Sequence, residues 1–210
     1  MELGEEDKYF VTLLTYTVVD ENDPLFQNPS KPVGPAFTKE EADKLPYNMV
    51  ETAKGYRRVV ASPKPVDIVQ HKEIKKLLDE DFIVICCGGG GIPVVRRDRR
   101  FDGVEAVIDK DLASSKLAEE VGADLFIIAT DVQGAAINFG TDQEAFLGQV
   151  PVTELENYFE LGQFTAGAMG PKVEAAINFV RNTGKKANIT RLQDIVKAVL
   201  GKAGTEVQNG

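Results

Sequence analysis

The sequence predicts an α/β fold: a three-layer αβα sandwich around a mainly parallel sheet, with a small projecting subdomain. Two observations carry that expectation. From Phe82 onward, short apolar runs at 82–85 and 125–128 alternate with helical patterns at 111–121 and 169–181. Fully apolar short strands set between amphipathic helices belong to a parallel sheet covered on both faces. In addition, 210 residues, 43% of them hydrophobic, suffice for one core that buries roughly 70% of the unfolded surface. Residues 1–210 are therefore expected to form a single domain.

The elements follow in order. Residues 10–19 read as one strand. Residues 20–37 then hold Pro24, Pro29, Pro32 and Pro35, a density that opposes both helix and central strand. Thr38-Lys39-Glu40-Glu41 fits a capping box that opens a short helix, and 50–54 and 56–60 flank Gly55 as a hairpin would. Residues 20–61 are thus expected to be the projecting subdomain. Residues 74–78 read as a surface helix leading into the strand at Phe82. Asp111 can cap the helix 111–121 and Gly122 can end it. The tail after Gly201 is expected to fray.

Composition excludes several classes of function. A net charge of -9 and a pI near 4.8 repel polyanions, so neither nucleic acid nor an acidic membrane face is an expected partner. A phosphate ligand would need a local cluster of lysines and backbone amides, helped by a divalent cation. Cys86 and Cys87 are adjacent, cannot form an unstrained mutual bridge, and read as reduced thiols in a cytosol. No charged-then-apolar start resembles a signal peptide, and no apolar stretch approaches the ~20 residues of a membrane span; the expected location is the cytoplasm. His71 is the single histidine and reads as a solvated surface residue, so a zinc site or a histidine triad lacks partners and no metal ligands are assigned. Lysine, carboxylate and backbone amide remain, the groups that phosphoryl transfer uses.

Three clusters hold those groups. Gly88-Gly89-Gly90-Gly91 follows a buried strand, where open α/β sheets place ligands. Four glycines let several amides approach an anion. The competing reading is a flexible turn, disfavoured because such a run loses backbone entropy with no packing return. The second cluster is Asp109-Lys110-Asp111, where a strand end meets a helix start. Either Asp111 merely caps the helix beside a solvated Lys110, or Lys110 neutralises phosphate charge while the aspartate holds its ammonium; the residues alone leave both open. The third is the glycine-rich loop Gly162-Gln163-Phe164-Thr165-Ala166-Gly167-Ala168-Met169-Gly170-Pro171-Lys172, which feeds an amphipathic helix. Pro171 suits a first helical turn, whereas a lysine there opposes the helix dipole and suggests an anion. Its alternative is an exposed first-turn lysine. Thr130-Asp131, at the exit of strand 125–129, reads as a capped turn or as the floor of a nucleotide pocket.

The order and wording of these clusters resemble the carbamate kinases of the amino acid kinase superfamily. The matching stretches are Asp23-Pro24, Lys31-Pro32-Val33-Gly34-Pro35, Arg57-Arg58-Val59-Val60, Gly88 to Val95, Gly103 to Asp111, Thr130-Asp131-Val132, Asn138-Phe139-Gly140 and Met169-Gly170-Pro171-Lys172. Acetylglutamate and uridylate kinases share the sheet but not the Lys-Pro-Val-Gly-Pro stretch. The resemblance implies phosphoryl transfer between ATP and carbamate, used in reverse to make ATP from carbamoyl phosphate in arginine breakdown. It also implies Mg2+ with ATP/ADP and a homodimer. By position, Lys110, Asp111 and Lys172 are the implied catalytic residues, and Gly88, Gly89, Gly90, Gly91 and Lys31 the small-substrate residues. Asp109, Thr130, Asp131, Met169, Gly170 and Pro171 are placed on the nucleotide side.

Two departures stand out. Ala168 occupies a place where the family commonly has serine. The family's opening strand and Gly-Gly-Asn loop have no match here, so the N-terminal part of the family fold is expected to be missing, with weak nucleotide binding and negligible kinase activity from this chain alone. The alternative function is a non-catalytic relative acting as a nucleotide-binding or dimerising module.

Overall fold

The computed structural model describes residues 8–164 and 169–210, and the chain divides into two units, Met1–Ala113 and Ser114–Gly210. The Ala168 departure lies outside the described residues.

In the first unit the elements are β1 (Phe10–Thr12), β2 (Tyr16–Val19), β3 (Lys31–Phe37), α1 (Lys39–Ala42), β4 (Met49–Thr52), β5 (Gly55–Val60), β6 (Pro65–Ile68), α2 (His71–Asp79), β7 (Ile83–Ile85), β8 (Ile92–Arg97) and β9 (Arg100–Gly103). Residues 10–19 are therefore two strands in two sheets, not one strand. β1 pairs in parallel with β7, and β2 lies inside a sheet ordered β6-β2-β8-β9. Thr15, at the break, is buried and turns its hydroxyl to the amide of Cys87 at 3.0 Å. Val19, Val95, Ile108 and Ala113 pack as a core cluster with Phe26 and Val104 against it.

Residues 20–61 contain a separate sheet, β3-β5-β4, antiparallel throughout. Its prolines are accommodated as proline chemistry requires: Pro32 and Pro35 lie in β3, an edge strand where a missing N–H need not break a ladder. The capping box forms as expected, Thr38 accepting from the Glu41 amide while the Glu41 side chain accepts from the Thr38 amide. The hairpin about Gly55 is β4–β5, with Thr52 opposite Gly55.

α3 (Lys110–Val121) contains the division between the units. In the second unit follow β10 (Leu125–Thr130), β11 (Ala136–Ile137), β12 (Ala145–Phe146), β13 (Gln149–Pro151), α4 (Val152–Glu160), α5 (Met169–Thr183), β14 (Lys186–Arg191), α6 (Ile195–Val199) and β15 (Thr205–Gln208). The main sheet is ordered β10-β14-β15-β13. α5 buries Val173, Ala176, Phe179 and Val180, with the Phe179 ring 5.4 Å from that of Phe126 in β10. Ser115 in α3 donates to the Ala175 carbonyl in α5 at 2.8 Å.

The α/β class is as expected, but the sheets are mixed. β2–β8 and β10–β14 are parallel, whereas β8–β9, β2–β6 and β14–β15 are antiparallel. Chain length explains the hairpin: only Asp98 and Arg99 join β8 to β9, and a parallel partner needs a crossover of a dozen or more residues. The tail after Gly201 is a second correction. β15 is an interior strand bonded to β14 and β13, with Thr205 and Val207 fully buried; its alternation of Thr, Glu, Val and Gln is too short to stand out from a polar terminus.

Candidate functional site

In the first unit the glycine run forms a tight turn after β7. Cys87 at φ 53°, Gly89 at 67°, Gly90 at 99° and Gly91 at 79° all adopt left-handed or related backbone. The four glycines are not equivalent. A Cβ on Gly90 would lie 2.4 Å from the Ile108 carbonyl oxygen, and one on Gly91 would lie 2.4 Å from the Thr17 hydroxyl. These two are therefore required by close packing, contrary to the expectation that the run has no packing return. Their amides are also occupied, Gly90 donating to Cys87 O at 3.0 Å and Gly91 to Gly88 O at 3.3 Å. Gly88 and Gly89 differ: a Cβ on either would meet nothing within 4 Å, both residues are exposed, and among the described residues their amides have no hydrogen-bond acceptor. The part of the run that can receive a ligand is thus Gly88-Gly89.

The Asp109-Lys110-Asp111 cluster resolves into two ion pairs. Asp109 is buried, and its Oδ2 accepts from the Lys31 ammonium at 2.5 Å, a reach of 78 residues in sequence from β3. Its Oδ1 accepts from the amides of Asp111 at 2.9 Å and Leu112 at 3.4 Å. Asp109, not Asp111, therefore caps α3. Burial pushes the Asp109 carboxyl up, but the Lys31 ammonium and those two amides outweigh it and hold the group below its usual value. Asp111, itself buried, pairs with the exposed Lys110 ammonium at 2.8 Å. The segment entering α3 thus holds two lysines, each at its own carboxylate, but no strand ends there as the sequence suggests: residues 107–109 are irregular, and Ala106 makes only an isolated bridge to Ala61.

The second unit contains a cavity of about 250 Å³ at the carboxyl end of β10, close to the lower bound of roughly 300 Å³ for small-molecule sites. Val132, Ala136, Phe139, Phe164 and Met169 give it an apolar lining, and Thr130, Asp131, Gln163 and Lys172 give it convergent polar groups. Thr130 donates its hydroxyl to Asp131 Oδ1 at 3.1 Å. Gln163 Oε1 accepts the Asn138 amide at 2.8 Å, which ties the two loops that wall the cavity. Lys172 is only 6% exposed, in the first turn of α5. The first-turn lysine is therefore buried in a cavity wall, not solvated. Met169 and Lys172 line the cavity, while Gly170 and Pro171 form the helical turn between them. Gln163, Phe164, Phe139 and Gly134 also line the cavity; the first two stand within the glycine-rich loop and Phe139 within a matched stretch, while nothing local in the sequence marks Gly134.

His71 is half-buried, with its ring nitrogen Nδ1 2.7 Å from the Ile68 carbonyl and 3.4 Å from Asp67, so it is fixed at the start of α2 and not freely solvated.

With this geometry in view, comparison with known proteins is decisive. The model of the amino acid kinase family matches residues 33–191. The carbamate kinase of Pyrococcus furiosus is 52% identical over 206 residues, covering 96% of this chain and 66% of its own length. The carbamate kinase of Thermoplasma volcanium is 46% identical over 95% of this chain and 67% of its own length. The chain belongs to the amino acid kinase family, within its carbamate kinase branch. Among solved structures, the carbamate kinase from Giardia lamblia bound to AMP-PNP superposes with a TM-score of 0.88 at 43% identity, covering 98% of this chain and 67% of that one. The chain spans about two thirds of the length of the curated relatives it matches. Among the described residues, no helix is long and apolar enough to cross a membrane.

Proposed function

We propose that the protein acts as a carbamate kinase, moving a phosphoryl group between ATP and carbamate, with the reverse reaction making ATP in arginine breakdown. The observation that carries the reading is the buried Lys172 ammonium in the wall of an apolar cavity at the carboxyl end of β10. A phosphate chain entering the cavity meets that positive charge in low-dielectric surroundings, where attraction between opposite charges is strong. The apolar lining of Phe139, Phe164 and Met169 suits a nucleobase, and Thr130 and Asp131 suit its polar edge or ribose.

In this reading the exposed amides of Gly88 and Gly89 and the held ammonium of Lys31 receive the small anionic substrate. Lys110, steadied by Asp111, and Lys172 supply positive charge to the transferring group, whose transition state is stabilised almost wholly by positioning and electrostatics. Mg2+ would come with the nucleotide phosphates, keeping several waters and neutralising their charge; among the described residues lining the cavity, Asp131 is the carboxylate that could hold it. A homodimer in the cytoplasm completes the proposal. The test is a coupled assay of ATP formation from MgADP and carbamoyl phosphate on the full-length protein, compared with these 210 residues, whose own activity is expected to be negligible. Turnover is expected to fall by about two orders of magnitude in Lys110→Ala and in Lys172→Ala; wild-type turnover in both would remove the catalytic assignment. Stoichiometric nucleotide binding without any transfer would favour the nucleotide-binding module instead.

A further inference from the structure

Two thiols stand side by side at the base of the glycine turn. A strand places successive side chains on opposite faces, so a β7 continued through Cys86 and Cys87 would separate them. The chain does otherwise: Cys87 adopts φ 53°, ψ 24° and starts the turn. The change of backbone hand ends the alternation, and the Cys87 thiol acts directly on that of Cys86. Neither is in a disulfide; Cys86 is partly exposed and Cys87 buried. The turn is rigid, because the Cys87 amide is held by Thr15 Oγ1 at 3.0 Å and its carbonyl by the Gly90 amide at 3.0 Å.

We propose that Cys86 and Cys87 form a two-sulfur capture site for trivalent arsenicals. Adjacent Cα atoms lie about 3.8 Å apart, short of the roughly 4.4–6.8 Å that a relaxed disulfide spans, so direct oxidation to a mutual bridge is disfavoured. Interposing one arsenic atom between the sulfurs enlarges the ring and relieves that restriction. A closed structural zinc site would need four ligands, whereas an arsenic atom that keeps one organic group needs only two. The step is condensation without redox change: an arsine oxide and two thiols give two S–As bonds, and both thiol protons leave with the oxide oxygen as water. Cys86 provides the entry, and closure onto Cys87 is then intramolecular.

The same contact distinguishes this site from an ordinary reactive cysteine. The hydrogen bond to Cys87, burial and the neighbouring thiol's charge all push the Cys86 thiol above its usual range, so alkylation and arsenical entry are both slowed there, and the stability of the two-sulfur chelate is what marks the site. Capture would also fix the backbone immediately before Gly88-Gly89.

The experiment is mass spectrometry of the native full chain titrated with phenylarsine oxide, with free thiols counted in parallel. One arsenical per chain is expected, with both thiols lost together. A dithiol such as dimercaptopropanol should reverse the adduct where the same concentration of a monothiol does not, and native iodoacetamide labelling should be slow. Cys86→Ser and Cys87→Ser, each checked for folding by circular dichroism, should weaken capture by at least about 100-fold, the scale of a lost intramolecular second contact. Two thiols still free at saturating arsenical, or reversal by monothiol as readily as by dithiol, would overturn the proposal; neither readout needs a variant. Undiminished capture by either serine variant would overturn it as well.

Discussion

Substituting alanine into the glycine run separates packing from ligand reception within three residues. In Gly90→Ala the new Cβ would stand 2.4 Å from the Ile108 carbonyl oxygen and 2.9 Å from its carbon, at φ 99°. A non-glycine residue in left-handed backbone costs roughly 1–2 kcal/mol. Forcing a methyl into a packed site costs roughly 1–3 kcal/mol more, and here the obstacle is backbone that cannot swing aside. The sum is about 3 kcal/mol, equivalent to roughly 6–12 °C in the melting temperature of a chain this size. Gly88→Ala meets nothing within 4 Å and lies outside the left-handed region, so it should shift stability by no more than about 0.5 kcal/mol. Thermal and urea unfolding followed by circular dichroism compares the two. Equal losses in both variants, or a neutral Gly90→Ala, would refute the assignment of Gly90 to packing.

Other outcomes follow from the hydrogen bonds. Asp109 has a folded pKa below its unfolded value of about 3.9, so its contribution to stability is present above that value and lost as pH falls through the folded one. Asp109→Asn keeps an α3-capping oxygen but not the charge; its deficit relative to wild type should be full near pH 7 and vanish in acid, and a pH-independent deficit would contradict the Lys31 pairing. Thr205→Val removes a buried hydroxyl that donates to Leu147 O at 2.6 Å and accepts from Ala135 N at 2.9 Å. Stranding both groups should cost about 1–3 kcal/mol, read by urea unfolding, and a neutral variant would show that this link is dispensable.

Much of the architecture was legible because the signals were local. The capping box at Thr38, the hairpin at Gly55 and the apolar runs at β7 and β10 each depend on a few neighbouring residues. What was not legible depends on partners distant in sequence. Asp109 looked like a neighbour of the capping residue until Lys31 was found against it. Gly90 and Gly91 looked like free loop until Ile108 and Thr17 were found over them. β15 looked like a tail because its burial comes from β13 and β14, not from its own composition. The site followed the same rule: Lys172 was recognisable from its conflict with the helix dipole, whereas Gln163 matters through one bond to the Asn138 backbone that no spacing announces.

The central claim is that the cavity beside β10 receives an adenine nucleotide and that Lys172 holds its phosphates. The most direct measurement is calorimetric titration of the purified chain with MgADP, repeated on Lys172→Met, which retains the apolar stem but not the charge. One nucleotide per chain is expected, with affinity lowered at least about tenfold in the variant, as for loss of a charged hydrogen bond worth roughly 1.5–3 kcal/mol. No heat of binding from folded wild-type chain, or equal affinity in the variant, would contradict it.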